Sequence, residues 1–232
     1  MKMPLRTIVQ AALVPLILLT AYYALAQGRL PAGFVDAADV VNGLAVEMRY
    51  ASTNNFVGEK IDGYERPRCL LSAQAANSLA AVQRNLAVRG LGLKVFDCYR
   101  PVRAVAHFVR WARRPQDDPK RKAEYYPDID KHDLFKLGYI ATRSGHSRGS
   151  TVDITLIRLA DKAELDMGTP YDFSGRQSWL ADKSVSAEAQ KNRVLFVAAM
   201  RAGGFVPYNK EWWHFTLRNE PFPDTYFDFP VR

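Results

Sequence analysis

Residues 145–156, GHSRGSTVDITL, constrain this chain more than any other stretch. The run from Ser150 to Leu156 is β-branched and apolar enough to be a buried strand, yet it carries an acid at Asp153. Side chains alternate along a strand, so Val152, Ile154 and Leu156 share a core face while Thr151, Asp153 and Thr155 share the other, which is expected to look out. His146 belongs to the turn just before, where Gly145 and Gly149 are expected to let the backbone fold back and stand the imidazole beside Asp153. One imidazole and one carboxylate on a turn and its strand make half of a metal site. Catalytic zinc takes a third protein ligand and keeps a position open for water.

EWWHF, residues 211–215, can supply that ligand as His214, with Glu211 three positions upstream as a proton acceptor for activated water. On an ideal strand Glu211 and His214 face opposite sides, so the reading requires a bend or bulge near Trp212. Each residue also has a plain reading by itself. His146 alone is a solvated turn histidine, Asp153 a loop cap, and Glu211 a surface acid ahead of two packing tryptophans. His107, in a predicted helix, and His132, in a charged loop, are given no metal role.

The chain has 232 residues, 48% hydrophobic and 24% charged, which suits one sizeable core rather than two. Its beginning follows another logic: Lys2 and Arg6 precede 22 uncharged residues, Thr7–Gly28, with small residues at Ala24 and Ala26. This is read as a signal peptide over residues 1–26, leaving a domain at 27–232 that is exported, to the periplasm. The alternative is an uncleaved anchor, the chain's one expected membrane contact. Removing residues 1–26 takes away two basic residues and no acid, lowering the formal charge from +8 to +6. The densest basic cluster, from Arg110 to Asp133, interleaves acids and prolines and fits a solvated loop better than a phosphate-tracking face, so no nucleic acid is expected as partner. Two cysteines, Cys69 and Cys98, can close a disulfide in an oxidising compartment, or remain two buried thiols that never meet.

Along the chain, Ser72 caps a predicted helix to about Arg89, with Leu79, Val82 and Leu86 on one stripe and Gly90 as its stop. LKVFDCY reads as a buried strand and RPVRAVAHFVRWARR as a helix with Pro101 in its first turn, placing Arg100 at the junction. LGYIATR and STVDITLI are strand candidates. SAEAQKNRVLFVAAMRAGG is a helix stopped by Gly203 and Gly204, and FVPYNKEWWHFTLR closes as a hairpin-like pair. The expected class is α+β, a single domain with a central, mainly antiparallel sheet flanked by helices. Oligomeric state leaves no signature here.

Eight ordered stretches carry a resemblance: RYASTNNFVG, DGYE, FDCYRP, YYPDID, SGHSRGSTVDITL, MGTPYDF, EWWHF and the ending YFDFPV. Together they resemble the D-alanyl-D-alanine dipeptidase family, the vancomycin-resistance type of zinc dipeptidase within the wider D,D-carboxypeptidase and hedgehog-domain fold group. The resemblance implies one zinc per chain on His146, Asp153 and His214, with Glu211 as general base and Arg100 stabilising the oxyanion. It implies that Asp172 holds the free amino group of a small D,D-dipeptide, with Tyr50 and Ser144 at the edge of the same site. The implied reaction is hydrolysis of D-Ala-D-Ala. Two rivals share the fold group: a D,D-carboxypeptidase that trims peptidoglycan stem peptides, and a non-enzymatic zinc-binding module. Two departures stand out, Gly145 where a second serine is expected before the metal histidine, and a leader that cytoplasmic members lack.

Overall fold

A computed structural model describes residues 29–232; the leader reading over residues 1–26 lies outside the described residues. In chain order the described elements are β1 (Phe34–Asp36), α1 (Ala37–Val40), β2 (Ala45–Val46), β3 (Leu70–Ser72), α2 (Ala73–Ala87), β4 (Leu91–Asp97), α3 (Val102–Ala112), α4 (Pro119–Tyr125), α5 (Leu134–Leu137), β5 (Thr151–Arg158), α6 (Ala187–Ala202), β6 (Phe205–Pro207) and β7 (His214–Leu217). Residues 35–232 form one compact unit.

Five strands make the main sheet in the order β2-β4-β5-β7-β6; only the β2–β4 pair is parallel, which matches the α+β class expected from the sequence. β5 occupies the middle. Its apolar face meets the helices: Val152 pairs in register with Phe215, whose ring lies 4.9 Å from that of Phe196 on α6. Ser72 caps α2 by accepting from the Ala75 N–H, and Leu79, Val82 and Leu86 are buried as their spacing predicts. The C-terminal end of α6 comes so close to α2 that a Cβ on Gly203 would lie 2.2 Å from Val82 Cγ2, so this position admits no side chain without displacing the helix.

Three expectations change. The second face of β5 does not look out, since Thr151, Asp153 and Thr155 are as buried as their neighbours. Alternation tells which residues share a face; it does not tell what covers that face, and here Tyr171 lies over Asp153. LGYIATR is not a strand. Leu137 ends α5, Gly138 takes the left-handed conformation at φ 84°, and its N–H closes onto Leu134 and Phe135, which commits the segment to a helix stop. The charged stretch from Arg110 contains α4, started by Asp118, whose carboxylate accepts from the Lys120 and Arg121 N–H groups, with Pro119 in the first turn.

The bend required near Trp212 is present. β7 begins only at His214; residues 208–213 form a tight connection in which the Glu211 N–H donates to Tyr208 O and the His214 N–H to Glu211 O.

Of the two alternatives for the cysteines, the bridge is formed: Cys69, just before β3, is bonded to Cys98, just after β4, and both are fully buried. Because the bond closes a loop across 29 residues, replacing both cysteines with alanine should lower stability by about 3 to 4 kcal/mol in the loop-entropy description. Urea unfolding of the oxidised chain against the double variant measures this; equal midpoints would remove the bridge from the stabilising interactions.

Candidate metal centre and catalytic pocket

The ligand trio is built from a turn and two neighbouring strands. Ser144 accepts from the His146 N–H and so starts the 3₁₀ turn Gly145–Arg148, and Gly149 at φ 77° ends it and turns the chain into β5. Gly149 alone uses the left-handed conformation; at Gly145 the constraint is space, because a Cβ there would lie 2.9 Å from Thr151 Oγ1. The second serine expected at position 145 would therefore have to displace that hydroxyl. Asp153 pairs in register with His214 across β5 and β7, so the two side chains emerge side by side on one face.

His146 Nε2 lies 3.2 Å from Asp153 Oδ1, His214 Nδ1 3.0 Å from the same oxygen, and the two ring nitrogens 3.4 Å apart. His146 Nδ1 is 2.7 Å from the Cys98 carbonyl, which can only accept, so the proton is assigned to Nδ1 and the lone pair of Nε2 faces Asp153. Asp153 Oδ1 is buried with no hydrogen bond, while Oδ2 accepts from the Tyr171 hydroxyl at 3.1 Å. An orphaned carboxylate oxygen between two imidazole nitrogens fits a divalent cation, and two nitrogens with one oxygen suit zinc. A second group, Asp130, His132 and Asp133, lies on the exposed loop.

Glu211 approaches the trio from the 208–213 connection, with Oε2 3.4 Å from His214 Nδ1. Burial pushes its carboxyl up to about 7, and nearby Asp153 adds to this against the opposing pull of His214 and Arg100. A bound divalent cation would pull it back down.

Arg100 follows β4. Its Nε donates to Asp97 Oδ2 at 2.9 Å, its Nη2 lies 3.4 Å from Asp153 Oδ2, and its guanidinium stands over the Tyr50 and Phe108 rings at 5.0 and 5.2 Å. Burial disfavours the cation, but Asp97, then Tyr50, Tyr64 and Asp153, outweigh it and hold Arg100 charged.

Asp172 sits at φ 63°, a conformation rare for side chains other than Asn and Asp. Tyr50 O–H donates to its Oδ2 at 2.9 Å, and desolvation, with Asp153 adding to it, drives the carboxyl well above the usual carboxylate range. Among the described residues no ion pair offsets this, so a bound ammonium would favour its ionised form.

These residues share a cavity of about 240 Å³ that contains Tyr50, Arg100, Ser144, Asp153, Asp172, Glu211 and His214 and has aromatic walls including Phe108, Tyr139 and Trp213. Every site residue expected from the sequence except His146 lines it; His146 is fully buried behind Asp153. Two contributors were not legible as such. Asp97 and Tyr171 lie in motifs already singled out, FDCYRP and MGTPYDF, but only the three-dimensional contacts give them partners.

Residues 31–232 match the peptidase M15 family, described as D-Ala-D-Ala dipeptidase. Among curated proteins the chain is 40% identical over 200 residues to the D-alanyl-D-alanine dipeptidase of Enterococcus faecium, covering 86% of this chain and 98% of that protein. It is 41% identical over 198 residues to the protein of the same name from Streptomyces coelicolor, covering 85% and 96%, and 37% identical over 183 residues to that of Escherichia coli, covering 79% and 83%. With the match covering every residue that lines the pocket, the chain belongs to the M15 D-Ala-D-Ala dipeptidase family of peptidases.

Proposed function

We propose that the chain hydrolyses the dipeptide D-Ala-D-Ala with one zinc ion held by His146, Asp153 and His214. The observation that carries this reading is the convergence of three ligand atoms, Glu211 and Arg100 at a small cavity that also presents the part-buried Asp172 carboxyl, which has no ion-pair partner among the described residues. The names of the relatives supply the substrate. Zinc bound there supplies Lewis acidity and brings the pKa of a coordinated water toward ~7.

The chain's own residues then divide the work. Glu211 accepts the proton of the attacking water at Oε2 and, once protonated, can hand it to the leaving amine. Arg100 meets the carbonyl oxygen as it gains negative charge, and its guanidinium stays charged throughout. Asp172 binds the substrate ammonium, and Tyr50 fixes which oxygen is free to do so, because Oδ2 already accepts the phenol proton. A purely structural zinc would need neither Glu211 nor Arg100. A stem peptide would have no ammonium to set against Asp172, which favours the dipeptide over chain ends in a polymer.

The leader pattern supports a location outside the cytoplasm, and the Cys69–Cys98 bridge suits an oxidising compartment. We place the enzyme in the periplasm, recovering D-alanine from wall fragments.

The metal-replete protein should cleave D-Ala-D-Ala and leave L-Ala-L-Ala and a stem pentapeptide largely intact, and a chelator should abolish the activity. Equal rates on dipeptide and pentapeptide would transfer the chain to the carboxypeptidase reading. Glu211→Gln should lower kcat by about 10²- to 10⁴-fold while zinc content stays near one per chain by elemental analysis. Full activity in that variant would take Glu211 out of the mechanism. Asp172→Asn, which keeps the left-handed backbone acceptable, should raise KM for D-Ala-D-Ala by about tenfold or more through the lost charge-assisted hydrogen bond, as steady-state kinetics would read directly.

A further inference from the structure

We propose that Asp97 is a positioning residue for this reaction: it takes one edge of the Arg100 guanidinium and thereby aims the other at the cavity. The proposal rests on the role given to Arg100 above.

Asp97 closes β4, three residues before Arg100, and is completely buried. Its Oδ2 accepts from Arg100 Nε at 2.9 Å and lies 2.8 Å from Nη2, while Oδ1 accepts from the Tyr64 hydroxyl at 2.5 Å. Tyr64 is itself fully buried, so the carboxylate has no freedom to follow the arginine. The Nε and Nη2 edge is thus occupied. Among the described residues nothing is hydrogen-bonded to Nη1, and the side chain lines the cavity with 13% of its surface exposed.

An arginine on a flexible stem could instead swing its fork onto Asp153, which Nη2 already approaches at 3.4 Å. Asp97 opposes that collapse. A donor held in place before the reaction needs no reorganisation when charge develops on the substrate oxygen. A buried ion pair is by itself weak evidence of stabilisation, and this one engages the only arginine that reaches both the ligand trio and the cavity among the described residues. The nearer partner of His146 Nδ1 is the Cys98 carbonyl at 2.7 Å, with Asp97 Oδ2 at 3.5 Å.

The test is a double-mutant cycle on the zinc-loaded full chain with Asp97→Asn and Arg100→Ala. Asp97→Asn should lower kcat for D-Ala-D-Ala by about 10- to 100-fold, as loss of an orienting partner does, with KM within about threefold and zinc content unchanged. In the Arg100→Ala background it should change kcat by less than about twofold, since the group it positions is gone. An equal loss in both backgrounds, a loss of zinc, or full activity in Asp97→Asn overturns the proposal. If Asp97→Asn does not fold, Tyr64→Phe reads the same coupling: a smaller fall in kcat that vanishes with Arg100→Ala supports it, and one that persists overturns it. If the wild-type chain cleaves no D-Ala-D-Ala, the functional reading fails separately, and the Arg100 Nε–H resonance decides the positioning. Slow exchange that is lost in Tyr64→Phe or Asp97→Asn upholds it; unchanged exchange ends it.

Discussion

The structure depends on how one buried carboxylate is surrounded. In the centre of the sheet Asp153 pairs in register with Asp97 on one side and His214 on the other, so two acids face each other across β4 and β5. Burying two like charges is untenable without cations. Arg100 stands between them, bonded to Asp97 and 3.4 Å from Asp153, and the two imidazoles close the other side. The irregular register between Val95 and Asp97 is what allows the acids and the arginine to meet at this point. Apart from the parallel β2–β4 pair, the rest of the sheet is ordinary antiparallel packing on α2 and α6.

A charge cluster of this kind also explains why so few segments make the site. Once Asp153 is fixed on β5, its two neighbouring strands deliver a partner each by register alone. His146, Glu211 and Arg100 come from the short chain segments just outside the strands, namely the turn before β5, the connection before β7 and the residues after β4, while Tyr50 and Asp172 come from longer connections. Such segments can hold a side chain off the regular alternation, which is how Glu211 and His214 come to face the same point although three positions separate them.

Much of this was legible in the sequence, for physical reasons that vary with the residue. The α2 stripe and its Ser72 cap follow from local periodicity and capping chemistry, which need no tertiary information. The bend at Trp212 was forced by the demand that Glu211 and His214 act together. The burial of the Asp153 face was not legible, because alternation is blind to a loop 18 residues away that brings Tyr171 over it. LGYIATR failed as a strand because Gly138 serves α5 as a stop, and an apolar run with one glycine supports either reading. The bridge between Cys69 and Cys98 stayed open until their separation in space was known. Asp97 could not be assigned from its motif, since its meaning lies in Tyr64 and Arg100 meeting on opposite oxygens.

The backbone at Asp172 has a consequence for how this pocket can change. Its left-handed φ of 63° is adopted most readily by glycine, asparagine and aspartate, so most other residues there carry a backbone cost whatever ligand is to be recognised. Drift toward a substrate without a positive end meets the least backbone cost through asparagine or glycine there. At the aromatic walls formed by Phe108, Tyr139 and Trp213 the chain geometry imposes no such filter, so side chains there can be exchanged without that backbone cost.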